Sequence, residues 1–389
     1  MSHTRSHQIY ILYIGLLALI VFSYALMYAP QPMFTSIASD LSVDPAVCGL
    51  LISVFMLALC VAPLLVPGIV RACGVRRAIG AASVGIVLSS FAIPYVTSFG
   101  WLIAIRLCHG FLMPIVLTSA MTSIAYLFRH FDLRRAMAGY VTASLVGSLL
   151  GRIGGGYLAE FFGWQYALLT FSLCFLLALF CVANQPNPPA TGTLSLSSYA
   201  TVLRQKGVPG LLFIEACGIF TFAALGNVLP LRISELVSGV SEGAIGMMYL
   251  GYSVGLLASL IIKPLSRLFG STARLLLFGS AFYLVSLVTL LPDSLLILFT
   301  GIWCVAFGEF VVHALSPGLI NQFGTKSHEC DRSMVNGLFL SCYYLGGVAG
   351  SIIPGFLYTA IGWPAVLLCL FLVQGAALFQ VLRTRSLVV

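Results

Sequence analysis

The chain has 389 residues, of which 60% are hydrophobic and only 8% charged, with a formal net charge of +8. Soluble proteins carry about 25% charged residues, and a mean hydropathy of +1.06 excludes a water-soluble surface. The basic residues come in short clusters between apolar runs, which fits a polytopic membrane protein and excludes a basic nucleic-acid groove.

A helix needs about 20 apolar residues to cross the hydrocarbon core. On that measure the first half holds spans near 8–29, 46–68, 78–97, 101–126, 137–158 and 165–184. The second holds spans near 207–230, 243–264, 275–292, 295–320, 335–357 and 363–382. The run from Ile9 to Met27 is too long for a signal-peptide core and lacks a cleavage motif, so it is expected to stay as a span. Between the sixth and seventh spans lies "NQPNPPATGTLSLSSYATVLRQK", which reads as a linker. The expected fold is an all-α membrane protein with twelve transmembrane helices in two pseudo-symmetric six-helix halves. The halves are 1–184 and 207–389, joined by a cytoplasmic linker at 185–206.

Lys and Arg counts orient the chain. One side receives Arg5, Arg71, Arg76, Arg77, Arg129, Arg134, Arg135, Arg204, Lys206, Lys263, Arg267, Arg274, Lys326, Arg332, Arg383 and Arg385, and the other receives Arg232. Arg106 and Arg152 fall inside spans. Both termini and the linker are therefore expected to be cytoplasmic.

The eleven cysteines show no CxxC and no metal spacing, and those inside apolar runs read as small buried hydrophobes. No ATP-binding loop and no nucleophile with its base is visible. The chain reads as a non-enzyme that needs no cofactor or metal.

The halves resemble each other. Gly147, Gly151, Gly156, Gly163 and Trp164 match Gly346, Gly350, Gly355, Gly362 and Trp363 at a constant offset, and Arg71 and Gly74 match Arg267 and Gly270 at nearly the same one. A duplicated six-helix unit explains this.

Four strings stand out. "PGIVRACGVRR" carries Arg71, Gly74, Arg76 and Arg77, and "KPLSRLFG" carries Arg267. "RLCHGF" holds Arg106, His109 and Gly110; the fifth span holds Gly147, Gly151, Arg152, Gly155 and Gly156. With twelve spans, two similar halves and a polar central loop, these strings resemble the major facilitator superfamily, specifically its drug:proton antiporter branch. The resemblance implies a gating role for the loop strings, although Arg71 and Arg267 stand where the family's pattern carries an acid. It implies proton coupling at Arg106, with His109 in place of a glutamine. It also implies close helix approach at Gly147 and Gly151, at the interface between moving halves. Arg152 replaces the antiporter proline, and either lines the cavity or snorkels outward; Arg106 has the same snorkelling alternative.

Intramembrane charges cost about 2.5–3.5 kcal/mol each on insertion scales, so Arg106, Arg152, Glu215 and Glu309 mark function. In "GEFVVHALSP", Glu309 and His313 lie four apart on one helical face and can pair. Glu215 lies roughly 12 Å from the start of its span and Glu309 about 21 Å from the outer end of the tenth. Glu309 is the expected proton carrier with His313 tuning it and Glu215 as competitor. The whole reads as a monomeric inner-membrane transporter, exchanging protons for small amphipathic compounds. The rival readings are a carrier for one sugar, amino acid, organic anion or siderophore, and a non-transporting sensor.

Overall fold

The computed structural model describes residues 3–129, 133–183, 187, 196–324 and 332–384. Among them the regular structure is helical throughout. The first half contains α1 (His3–Tyr28), α2 (Phe34–Leu41), α3 (Leu50–Cys73), α4 (Val75–Ser90), α5 (Phe99–Leu127), α6 (Leu133–Phe162) and α7 (Trp164–Val182). After α8 (Leu196–Leu203) come α9 (Val208–Leu236), α10 (Glu242–Met248), α11 (Val254–Phe269), α12 (Thr272–Ser286), α13 (Leu295–Gly324), α14 (Arg332–Ala360) and α15 (Trp363–Thr384). Ten helical segments among the described residues are long and apolar enough to cross a membrane.

Large apolar side chains such as Trp101, Phe161, Phe180, Leu296 and Leu372 are more than 65% exposed. A water-soluble chain does not tolerate such a surface, whereas lipid does. The chain is a multi-pass membrane protein.

Two of the expected spans differ in detail. A 3₁₀ turn, Pro45–Gly49, precedes α3, and the expected 243–264 span is split by a 3₁₀ turn at Tyr249–Ser253. Gly251 faces Ile302 and Trp303, and Gly255 faces the Phe310 ring, so α13 lies against this segment where a side chain would collide. The segment expected to be a plain linker also contains α8.

By contacts the chain divides into two compact units. One comprises Met1–Val43, Val61–Thr193 and Ser241–Met247; the other comprises Asp44–Cys60, Leu194–Val240 and Met248–Val389. In the first unit, α6 packs on α1 with Gly147 over the Val21 carbonyl and Gly151 over that of Ala25. In the second, α14 packs on α9 with Gly346 over Ala216 and Gly350 over Phe220. These are the glycines that the sequence repeat aligned. A Cβ at any of them would strike the facing backbone, so each buries a helix contact that only glycine permits. Gly147 and Gly151 thus join α1 and α6 inside one unit; the expectation that they line an interface between halves is corrected.

The turns repeat as well. Gly163 (φ 84°) and Gly362 (φ 105°) reverse the chain before Trp164 and Trp363, in a backbone region that side chains disfavour. Trp164 Nε1 then donates to Asp40 at 2.8 Å, and Trp363 Nε1 donates to the Leu290 carbonyl at 3.0 Å.

Candidate functional site

The second unit brings together three titratable side chains. Glu215 comes from α9, while Glu309 and His313 share one face of α13. The two glutamates are buried, at 1% and 4% exposure. The Glu309–His313 pairing that the spacing allows is not the one His313 makes. His313 Nδ1 instead donates to Glu215 Oε2 at 2.9 Å. The reason is tertiary: α9 packs against α13 and presents a closer acceptor than the helix's own preceding turn.

Glu309 turns towards Gly218 on α9, and Oε2 has no hydrogen-bond partner. A Cβ at Gly218 would stand 2.5 Å from that oxygen, so the glycine makes room for the carboxylate. Tyr283 on α12 donates its hydroxyl to the Gly218 carbonyl at 3.0 Å and fixes the backbone there. Glu309 lies close enough to Glu215 and His313 to feel their charges, so the three side chains form one electrostatic cluster.

The site's remaining wall is aromatic and amide. The His313 ring lies 5.1 Å from Tyr343 and 6.0 Å from Phe339, both on α14. Gln374 on α15 donates to the Cys217 carbonyl and to Thr221, pinning α9 one turn from Glu215. The His313 side chain is 33% exposed, in contrast to Glu215. Among the three it is the open member.

The first unit places the other expected residues apart from this site. Arg106 is buried and donates to the carbonyls of Leu26 and Met27, at 2.9 and 2.6 Å. These carbonyls belong to the last turn of α1, where the helix leaves acceptors unsatisfied. Arg106 thus caps a helix, and the geometry shows neither the snorkelling alternative nor a carboxylate partner at those two bonds. Arg152 is also buried: its Nε donates to Gln31 at 2.6 Å and its guanidinium lies over the Tyr28 ring at 4.0 Å, with Ser148 beside it. It faces α1 and the turn beyond, so the outward-snorkelling alternative is corrected.

His109 is buried with Nε2 3.2 Å from Ser90 Oγ, while Nδ1 has no partner. Arg71 and Arg267 are exposed, each in the last turn of its helix, α3 and α11. A cation there complements the helix dipole, a local role common to both positions.

Sequence reasoning missed a charged cluster at the end of α9. Arg232 donates to Glu235 at 2.7 Å and pairs with Asp293, and Tyr358 donates to Glu235. One arginine amid spaced acids was the available signal. In the first unit, Glu160 accepts the Gly243 N–H at 3.2 Å beside Glu242 and Asp40. Burial first, then the charges of Glu160 and Asp40, push the Glu242 carboxyl up to about 7.

Several known proteins are similar to this chain along most of its length. A relative from Bacillus subtilis (strain 168), the uncharacterized MFS-type transporter YybF, is 21% identical over 88% of this chain and 86% of its own. The inner membrane transport protein YnfM of Escherichia coli (strain K12) is 22% identical over 88% and 83%. Among solved structures, the nucleoside transporter NupG superposes with a TM-score of 0.76 at 14% identity, over 96% of this chain and 98% of that one. A bacterial homolog of the human lysosomal transporter Spinster, in an inward-facing conformation, superposes with a TM-score of 0.70 at 14% identity, over 100% and 96%. The family model for the Major Facilitator Superfamily matches residues 16–236 and 211–386. The chain therefore belongs to the major facilitator superfamily, and is a membrane transporter and not an enzyme.

Proposed function

We propose that the chain is a proton-coupled secondary transporter that exports small amphipathic compounds. Its twelve helices span a bacterial inner membrane with both termini cytoplasmic. In this reading it works as a monomer of two halves, 1–184 and 207–389, with 185–206 between them. The sixteen-to-one distribution of Lys and Arg supports the orientation. The relative named an inner membrane transport protein supports the compartment.

One observation carries the proton reading: a buried carboxylate oxygen on Glu309 with no partner, beside a hydrogen-bonded Glu215–His313 pair. A dry interior disfavours net charge. With one proton on the imidazole and one on Glu309 the three groups sum to zero, and loss of either leaves −1. Proton loading therefore removes an uncompensated charge, which gives the transporter two states of different electrostatic energy. His313, the open member, is the entry point; it relays to Glu309, and Glu215 holds its ring.

The test is transport in proteoliposomes with an imposed pH gradient and a varied compound panel. Glu309→Gln is expected to abolish gradient-driven transport while leaving substrate exchange largely intact, and His313→Ala to shift the pH optimum. If Glu309→Gln still couples to protons while Glu215→Gln does not, the carrier is Glu215.

A further inference from the structure

Outside that site, Cys73, Arg76, Arg77 and Asn187 line a cleft of about 590 Å³. It lies where α3 ends and α4 begins, with the chain reversing at Gly74 (φ 83°). The Asn187 carboxamide forms part of the wall. Its oxygen accepts the Arg76 backbone N–H at 3.2 Å, and a Cβ at Gly74 would stand 2.8 Å from its nitrogen. That packing holds the amide in place.

The side chains of Arg76 and Arg77 are exposed, and no acid is among the four residues lining the cleft. Guanidinium groups present planar forks of N–H donors that match phosphate oxygens. The volume lies within the range of small-ligand pockets, roughly 300–1,000 Å³. The cleft is also at the end of Val75–Tyr95, a helical segment long and apolar enough to cross a membrane, where headgroups would lie if it does. Basic pockets at such helix ends recognise anionic headgroups.

We propose that this cleft binds a phosphate-bearing anion, the headgroup chemistry of an acidic phospholipid. An occupant would touch both the α3–α4 turn and Asn187, tying that turn to the segment between the halves. Binding concerns this one unit and does not depend on which solute is carried or on proton coupling.

The experiment uses the full-length protein, purified in detergent and delipidated. Short-chain phosphatidylglycerol, short-chain phosphatidylcholine and inorganic phosphate are titrated separately, with bound species counted by native mass spectrometry. Phosphatidylglycerol is expected to bind in preference to phosphatidylcholine. Arg76→Gln and Arg77→Gln should each weaken it about fivefold, the effect of one basic residue near an anionic surface. Arg129→Gln is the control; this exposed arginine donates to the Tyr126 carbonyl, outside the cleft, and should leave the affinity unchanged. Displacement of the lipid by millimolar phosphate would assign the cleft to free phosphate, and resistance to it would assign the cleft to the lipid. Equal affinity in the Arg76→Gln/Arg77→Gln double variant and the parent, or an equal loss in Arg129→Gln, overturns the proposal. Size-exclusion profiles confirm that the variants remain folded.

Discussion

At the residue scale, the buried charges divide into those that hold structure and those that sit unsatisfied. Arg106 satisfies two carbonyls at the end of α1. Its loss leaves buried acceptors without donors, each hydrogen bond to a charged group being worth about 1.5–3 kcal/mol. Arg106→Met is therefore expected to lower the unfolding temperature in detergent and the yield of folded protein. A variant that melts like the parent but loses coupling would put Arg106 in the proton pathway. Glu242 offers a pH test outside the spans. Its folded pKa, about 7, lies above the ordinary value of 4.5, so between those values the folded state holds more protons than the unfolded one. Stability then falls as pH rises through that window. The unfolding midpoint should drop from pH 5 to pH 8, and Glu242→Gln should flatten that part of the profile. An identical slope in the variant would show that other groups set it.

At the element scale, the pairing of α1 with α6 and of α9 with α14 depends on glycine. Gly147 stands against the Val21 carbonyl and Gly346 against that of Ala216, with no room for a Cβ. Gly147→Leu and Gly346→Leu must push their helices apart, because the clash is with backbone and not with the tip of a flexible side chain. Both are expected to insert into the membrane yet lose most transport, measured against protein amount in the same vesicles. Gly80→Ala in α4 is the contrast: nothing lies within 4 Å of its Cβ, so alanine should be tolerated and slightly favour the helix. Normal transport by both leucine variants would show that the helices can separate without loss.

At the scale of the whole molecule, the proposed orientation rests on the distribution of Lys and Arg and is open to direct labelling. With the native cysteines replaced, including the exposed Cys108 and Cys181, single cysteines at Arg204 and Arg383 should react only with reagent that reaches the cytoplasm. One at Ser238, in the loop after α9, should react from outside. Ser238 serves better than Arg232, whose guanidinium is engaged with Glu235 and Asp293. Labelling of Arg204 and Arg383 positions from opposite faces would eliminate the twelve-span arrangement.

What the sequence by itself determined is what depends on local composition. Apolar runs of membrane length, clustered Lys and Arg and a glycine pattern recurring at one offset are one-dimensional signals. They were enough to identify an all-helical membrane chain of this family and the glycines that meet neighbouring backbone. The tertiary structure decided the partners. Periodicity put Glu309 and His313 on one face, but the imidazole bonds to Glu215, ninety-eight residues away. Arg106 stands inside the fourth expected span, but that the end of α1 supplies two of its acceptors is a matter of which helix packs there. The close helix approach expected at Gly147 proved to lie within one unit. Residue spacing sets direction along a helix, whereas the nearest donor or acceptor is set by which other helix packs there. The 3₁₀ turn at Tyr249–Ser253 likewise lies where α13 approaches closely, a distance that no run of apolar letters encodes.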